Sequence, residues 1–460
     1  MTTESWLQCI IPSCGKKYSV TERRTNCDCG ELLDVQYKGA FPKSLQETFY
    51  MRQSHRQSEP HNIFNESGVW RFRELLNFVS VNTEDLTDCS KKLVSLDGAE
   101  GRTKTFHLTK VADYVGLNSK NFWIQFEGDN PTGSFKDNGM ASAFTHAKMV
   151  GAKKVVCAST GNTSSSAAAF AANELNMTAV ILVGEGKIAK GKLAQSLAYG
   201  AKVLQVKGDF DVAMAMVQEL SKESNIYVVN SLNCFRLEGQ KTMMFRILDY
   251  LNWEIPDWIV FPGGNLGNTS AFGKAFMELY EYGWIKKKPR MAVVVAEGAP
   301  TFSDLYNDHG LKWNGGKINN SIINDYYIEV ERKGIKANTR ASAIEILKPV
   351  NLKKALRTLE FTNGVVTKVP DNEIMDTMAM ISKNGFGCEP ASAATVAGTK
   401  KLVSQGVIEK DATVVGIATG HILKDTSAIV DYHFNPKNKF ANTPIVVEPD
   451  VNKILKLVDS

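Results

Sequence analysis

From about residue 120 onward the chain alternates short apolar runs with helical periodicity, and few folds accommodate such a pattern. The strand-like runs are Phe122–Phe126, Lys154–Ala158, Ala179–Val183, Ala201–Val206, Ile226–Val229, Trp258–Phe261, Met291–Val295 and Thr413–Ile417. Between them fall a helix beginning near Met140, a small-residue helix over Ser164–Leu175, and a helix with Phe210, Met214, Val217 and Leu220 on its apolar face. Another runs through Met243, Phe245 and Leu248. Strands apolar on both faces, separated by helices, imply parallel sheets covered on both sides. A division near 245–255 separates two such series. The expected organisation is a cysteine ribbon over 1–40, a helical arm over 41–100, a small α/β domain over 101–250 and a larger one over 251–460.

Several function classes drop out on composition. The net charge of +5 is modest and its Lys and Arg residues are scattered, so nucleic acid is not an expected partner. No apolar run approaches the ~18 residues of a membrane span. The first residues, Met1–Trp6, read as neither a secretory nor a transit peptide. Eight cysteines in 460 residues are no disulfide framework, and a cytoplasmic location is expected.

Four of the cysteines cluster: Cys9, Cys14, Cys27 and Cys29, with Gly15 and Gly30 after the second of each pair. Thiolates from two knuckle-like hairpins suit a tetrahedral structural zinc. The C-x-C pair is narrower than the usual C-x2-C, so a ribbon that folds by packing alone is the alternative.

Chemistry in a parallel sheet gathers at the carboxyl ends of strands. Gly128–Gly139 places Lys136 on a Gly/Ser-rich turn between an apolar strand and a helix. A desolvated lysine there becomes an available nucleophile and base. Three further turns are rich in small polar residues. Ser159–Ser164 suits a carboxylate, Gly263–Thr269 offers amides for a phosphate, and Ala418–His421 follows the last strand. Two tempting motifs fail. Gly186–Leu193 is nearly a P-loop, but Leu193 stands where magnesium needs a hydroxyl. The Gly263 loop is not G-x-G-x-x-G, and no acidic residue follows at the nucleotide-binding distance.

Taken together, Ser67–Leu76, Asn130–Gly139, Gly161–Thr163, Glu185–Gln195, Val229–Gln240, Gly264–Asn268, Cys388–Ala394 and Thr419–Asp425 resemble the threonine synthase family, over nearly the whole chain. These are pyridoxal-phosphate enzymes of fold-type II, so the resemblance implies two tryptophan synthase β-like parallel-sheet domains. It implies a homodimer that converts O-phosphohomoserine and water into threonine and phosphate, the last step of threonine biosynthesis. It further implies that Lys136 carries pyridoxal 5'-phosphate covalently and later shuttles protons. Asn162 would face the ring hydroxyl, Thr419 the ring nitrogen, and Gly264, Asn265, Leu266, Gly267 and Asn268 the cofactor phosphate. A neutral hydroxyl such as Thr419 leaves the protonation of the ring nitrogen less enforced than a carboxylate would. Ser159, Thr160 and Thr163 would meet the substrate's carboxylate or phosphate. Lys192, Asn230, Ser231 and Arg236 match the family's substrate-phosphate pocket. One departure is Ile422, where the family commonly has glycine after Thr-Gly-His; it bears on the pocket floor. The competing classes are another cofactor-dependent lyase acting on serine, threonine or phosphoserine, which does not require the Asn230–Arg236 pocket, and a non-catalytic zinc-ribbon binding protein, which would not need Lys136 and Asn162.

Overall fold

The computed structural model describes residues 4–54, 62–159, 161–174, 177–184, 190–208, 210–220 and 226–458. Thirteen strands are present among them: β1 (Glu4–Cys9), β2 (Lys17–Ser19), β3 (Leu33–Lys38), β4 (Lys104–His107), β5 (Phe122–Phe126), β6 (Lys154–Ala158), β7 (Thr178–Gly184), β8 (Lys202–Val206), β9 (Ile226–Val228), β10 (Trp258–Pro262), β11 (Arg290–Ala296), β12 (Val365–Val369) and β13 (Val414–Ala418). They form three sheets, in the orders β2-β1-β3, β12-β11-β10-β13-β5-β4 and β8-β7-β6-β9. The last is wholly parallel, and the six-stranded sheet is parallel except for β4 at its edge. All eight expected strands occur, within a residue or two of their expected bounds. Most of their apolar runs are buried, as in β10, where every residue is buried, whereas β8 at the sheet edge is largely exposed.

The sheets do not divide the chain at 250. β4 and β5, both inside the 101–250 stretch, pair into the six-stranded sheet, where β5 lies beside β13. Lys136 therefore follows a strand of the larger sheet, while Asn162 follows a strand of the smaller one. The two sequence series thus interlock across the site. The arm over 41–100 is helical, with Leu45–Ser54, Trp70–Leu76 and Leu86–Lys92 packed on the body.

The ribbon is a three-stranded antiparallel sheet rather than two independent hairpins. Its knuckle glycines have the left-handed φ that the turns require, +58° at Gly15 and +88° at Gly30. β3 docks into a buried charge network. Asp34 pairs with Lys354 at 2.8 Å and Arg357 at 2.6 Å, and the Tyr37 hydroxyl donates to Glu238 at 2.7 Å. Glu238 in turn meets Lys241 at 2.6 Å and Lys274 at 2.8 Å. Among the described residues no helix is long and apolar enough to cross a membrane.

Candidate active site

Lys136 is the first residue of the helix Lys136–Met149, which begins four residues before the expected start at Met140. Asp137 explains the early start. Its carboxylate accepts from the Thr132 amide at 2.8 Å, the Thr132 hydroxyl at 2.7 Å and the Ser166 hydroxyl. A negative side chain in the first turn also suits the helix dipole. Next to it the Asn138 amide donates to buried Glu127 at 2.6 Å, anchoring the turn from below. These bonds fix the backbone on either side of Lys136. Among the described residues its amine lies over the ring face of Phe135, 3.9 Å from the centroid. Burial, then the nearby Arg236 charge, lowers the Lys136 pKa to about 7, against the opposing pull of Glu389.

The last strand-to-helix turn folds directly onto this loop. The Phe135 amide donates to the Thr419 carbonyl at 3.0 Å, and the His421 amide to the Gly133 carbonyl at 2.9 Å. Asn162, first residue of the helix Asn162–Asn173, reaches the same place from the smaller sheet. Its side-chain amide donates to Glu389 at 3.0 Å, and the Thr419 hydroxyl donates to Glu389 at 3.2 Å. Lys136, Asn162 and Thr419 are thus brought together. Sequence reasoning gave no role to Glu389, although it lies inside the family-like Cys388–Ala394 segment; a carboxylate before Pro390 at a helix start was the available signal. Ile422 packs on Gly387, whose added Cβ would lie 3.0 Å from Ile422 Cδ1.

The Gly264–Asn268 stretch follows β10 and runs into the first turn of the helix Gly267–Glu281. Leu266 precedes that helix in a left-handed conformation and contributes no side-chain cap, so first-turn amides are left free. The buried hydroxyls of Thr269 and Ser270 have no partner among the described residues. At Gly264 a Cβ would lie 3.1 Å from Ile344 Cα, so a side chain there would need that backbone to give by a few tenths of an ångström. Free amides, unpaired hydroxyls and a bare backbone fit a phosphate. Asn351, which sequence reasoning missed, ties this loop to the next: its side-chain amide donates to the carbonyls of Ser231 at 3.0 Å and Asn265 at 3.2 Å.

Arg236 lies in the first turn of the helix Cys234–Tyr250. It is 1% exposed; one guanidinium nitrogen donates to the Val229 carbonyl at 2.8 Å, and its Nε has no partner among the described residues. A cation buried at the positive end of a helix is poised for an anion. Asn230 is engaged differently. Its side chain exchanges hydrogen bonds with the Ala158 backbone, at 3.1 and 3.0 Å, and so holds the Ser159 turn to β9. Ser159 accepts from the Gly161 amide at 3.2 Å, and Thr163 is half-buried one residue into the following helix. Thr160 and the side chain of Lys192 lie outside the described residues.

Away from this cluster, the four ribbon cysteines converge. Cys9 and Cys29 sulfurs are 3.6 Å apart, as are those of Cys14 and Cys27, and all four lie within 4.8 Å of one another. Tetrahedral zinc with bonds of ~2.3 Å separates its sulfurs by about 3.8 Å, so this donor set could hold one ion.

Residues 96–420 match the family model of pyridoxal-phosphate dependent enzymes. The threonine synthase of Methanocaldococcus jannaschii is 39% identical, over 98% of this chain and 98% of its own length. That of Methanosarcina acetivorans is 37% identical, over 96% and 98%. Among solved structures, threonine synthase from Escherichia coli superposes with a TM-score of 0.65 over 99% of each chain at 16% identity, a likeness of fold-type II architecture.

Proposed function

This chain belongs to the pyridoxal-phosphate-dependent enzymes and within them to the threonine synthases, and on that premise we propose that it converts O-phospho-L-homoserine and water into L-threonine and phosphate. Lys136 would hold the cofactor through its Nζ, with Asn162 and Thr419 at the ring and Gly264, Asn265, Leu266, Gly267 and Asn268 around the phosphate. Bound there, the cofactor supplies the electron sink that stabilises negative charge next to the α- and β-carbons.

The remaining tasks fall to side chains. Lys136 Nζ, once the substrate's amine has displaced it from the cofactor, would take the proton from the substrate's α-carbon and move protons at the β-carbon. Its pKa of about 7 lets the amine both accept and return a proton near neutrality. Arg236, seated at a helix N-terminus, stabilises charge on the departing phosphate. Lys192 would add a second positive charge, Ser231 a hydroxyl, and Asn230 keeps the Ser159 turn in register with them. Ser159, Thr160 and Thr163 hold the carboxylate end. Water then adds at the β-carbon.

The observation that carries this reading is the buried Arg236 charge within electrostatic reach of Lys136. A dehydratase needs no such cation. The eight free cysteines support a reducing, cytoplasmic setting. A homodimer is supported by apolar side chains exposed along the helix Val451–Val458, among them Val451, Leu455 and Val458. Steady-state phosphate release and threonine yield, compared across O-phosphohomoserine, phosphoserine and serine, test the substrate. Preference for either serine compound would overturn threonine synthesis in favour of β-replacement or dehydration.

A further inference from the structure

We propose that Asn351 is a positioning residue that locks the substrate-phosphate turn to the cofactor-phosphate turn, and that the spacing it fixes selects a substrate with its phosphate on the γ-carbon's oxygen. The proposal rests on the function reading above. An asparagine directly before a helix ordinarily caps it. Asn351 precedes the helix Leu352–Thr362, yet its side chain makes no cap. It is fully buried and engages the loops instead. Its Nδ2 donates to the Ser231 carbonyl at 3.0 Å and to the Asn265 carbonyl at 3.2 Å. The Asn351 backbone amide reaches the same Asn265 carbonyl at 3.1 Å, and the Val350 amide donates to Asn265 Oδ1 at 3.4 Å. Two carbonyl acceptors fix which end of the side-chain amide faces the loops. The other end, Oδ1, has no partner among the described residues.

The bridge stands on a fixed mount. The Asn351 carbonyl accepts from the Ala355 amide at 2.9 Å, and further along the same helix the Thr358 hydroxyl donates to the Thr269 carbonyl at 3.0 Å. Leu352–Thr362 is thereby tied to the first turn of Gly267–Glu281 as well. The joined turns come from different sheets: Ser231 follows β9 of the four-stranded sheet, and Asn265 follows β10 of the six-stranded one. They lie side by side, since a Cβ on Gly267 would meet Ser231 Cβ at 3.8 Å. Asn230 ties its own turn only to the Ala158 backbone, whereas Asn351 bonds to both turns. A phosphorylated amino acid seated at the cofactor spans the gap between the two anion sites. O-phosphohomoserine carries one more methylene in that span than phosphoserine. Positive charge alone accepts either compound; a fixed spacing favours one. Discrimination by a single methylene is about 10–200-fold.

Two variants separate the bridge from packing. Asn351→Ala removes both donations. Asn351→Asp keeps the shape, but a carboxyl has at most one proton to give and cannot hold both carbonyls. The KM for O-phosphohomoserine and the competitive inhibition constant of phosphoserine would be measured on holoenzyme. Both would be read on the folded, cofactor-loaded fraction, so a lower melting temperature alone does not enter. In parallel, the 31P resonance of the bound cofactor would be followed as inorganic phosphate is added. Wild-type protein should bind phosphoserine at least about tenfold more weakly than O-phosphohomoserine. Both variants should narrow that ratio by about tenfold for the hydrogen bonds lost. The cofactor resonance should move with added phosphate in wild type and stay in place in the variants. A wild-type ratio near one, or a wild-type ratio kept by either folded variant, would overturn the proposal, whatever happens to kcat. So would an equal 31P movement in all three proteins. Wild-type protein that makes no threonine from O-phosphohomoserine would instead remove the function reading, and the proposal with it.

Discussion

Asp34 Oδ1 lies 2.8 Å from Lys354 Nζ, which joins the cysteine ribbon to the helix Leu352–Thr362 that follows Asn351 beside the Gly264–Asn268 loop. Both side chains are at most 2% exposed. Lys354 also donates to the Leu33 carbonyl at 2.7 Å, but Asp34 supplies its counter-charge. Removing one partner of a buried pair costs about 3–5 kcal/mol, because the other charge is stranded. Asp34→Ala is expected to lose about that much in urea unfolding, and more than Asp28→Ala at the exposed pair with Lys16. Burial works against the Asp34 carboxylate, yet the charges of Arg357, Lys354 and Lys274 hold it well below the ordinary range. A depressed folded pKa contributes stability that is fully present above the unfolded value of about 4 and is lost as pH falls below it. The gap between wild type and Asp34→Ala should therefore narrow on acidification; a gap constant from pH 7 to pH 3 would contradict the ion-pair account.

The same docking makes the ribbon's metal a matter of stability rather than chemistry. Protein purified without chelator is expected to carry one zinc per chain, bound by Cys9, Cys14, Cys27 and Cys29. Metal analysis giving less than about 0.2 zinc per chain would exclude the site, since binding free energy at structural thiolate sites is folding free energy. Cys14→Ser should lower the melting temperature and zinc content, with the cofactor absorbance preserved in the folded fraction.

The strands were legible because doubly buried strands are continuous apolar runs, and Trp258–Pro262 needs no partner to be recognised. Sheet membership was not legible. β5 joins β13, almost three hundred positions later, and no local pattern encodes that pairing. β12, Val365–Val369, was passed over although its run is β-branched, because Lys368 interrupts it. Among site residues, Lys136 and the glycine loops carry local signals of turn and close approach. Asn351 does not, and Glu389 offers only a carboxylate before Pro390: each acts through contacts 120 or more positions away, Glu389 with Asn162 and Asn351 with Ser231. Asn230 was expected in the substrate-phosphate pocket; its engagement with the Ala158 backbone depends on the β6–β9 pairing.

Lys136 offers a direct pH test. A lysine with a pKa lowered to about 7 is mostly neutral amine at pH 8, whereas one at the ordinary ~10.4 is not. The rate at which cofactor-free protein captures pyridoxal phosphate should rise with pH up to about 7 and level off above it. A rate still climbing about tenfold per pH unit between 8 and 9 would show an unperturbed amine. Lys136→Ala should fold but form no borohydride-sensitive band; retention of that band would move the attachment to another lysine.

Arg236 is expected to govern the substrate phosphate without governing the cofactor. It sits in the first turn of Cys234–Tyr250, with one nitrogen on the Val229 carbonyl and Nε without a partner among the described residues, while the cofactor phosphate is assigned to the separate Gly264–Asn268 loop. A guanidinium can grip two oxygens at once, whereas an ammonium at the same place keeps the charge but loses the fork. Arg236→Ala should therefore lose far more activity on O-phosphohomoserine than Arg236→Lys. Hydrogen bonds to charged groups of ~1.5–3 kcal/mol correspond to roughly a ten- to hundredfold loss for each one removed. Truncation also removes the positive charge that depresses the Lys136 pKa, so the pH profile of cofactor capture should move toward higher pH in Arg236→Ala and stay in place in Arg236→Lys. If both variants lose activity equally while their cofactor affinities collapse, Arg236 holds the cofactor site together and the assignment of the substrate phosphate to it is wrong.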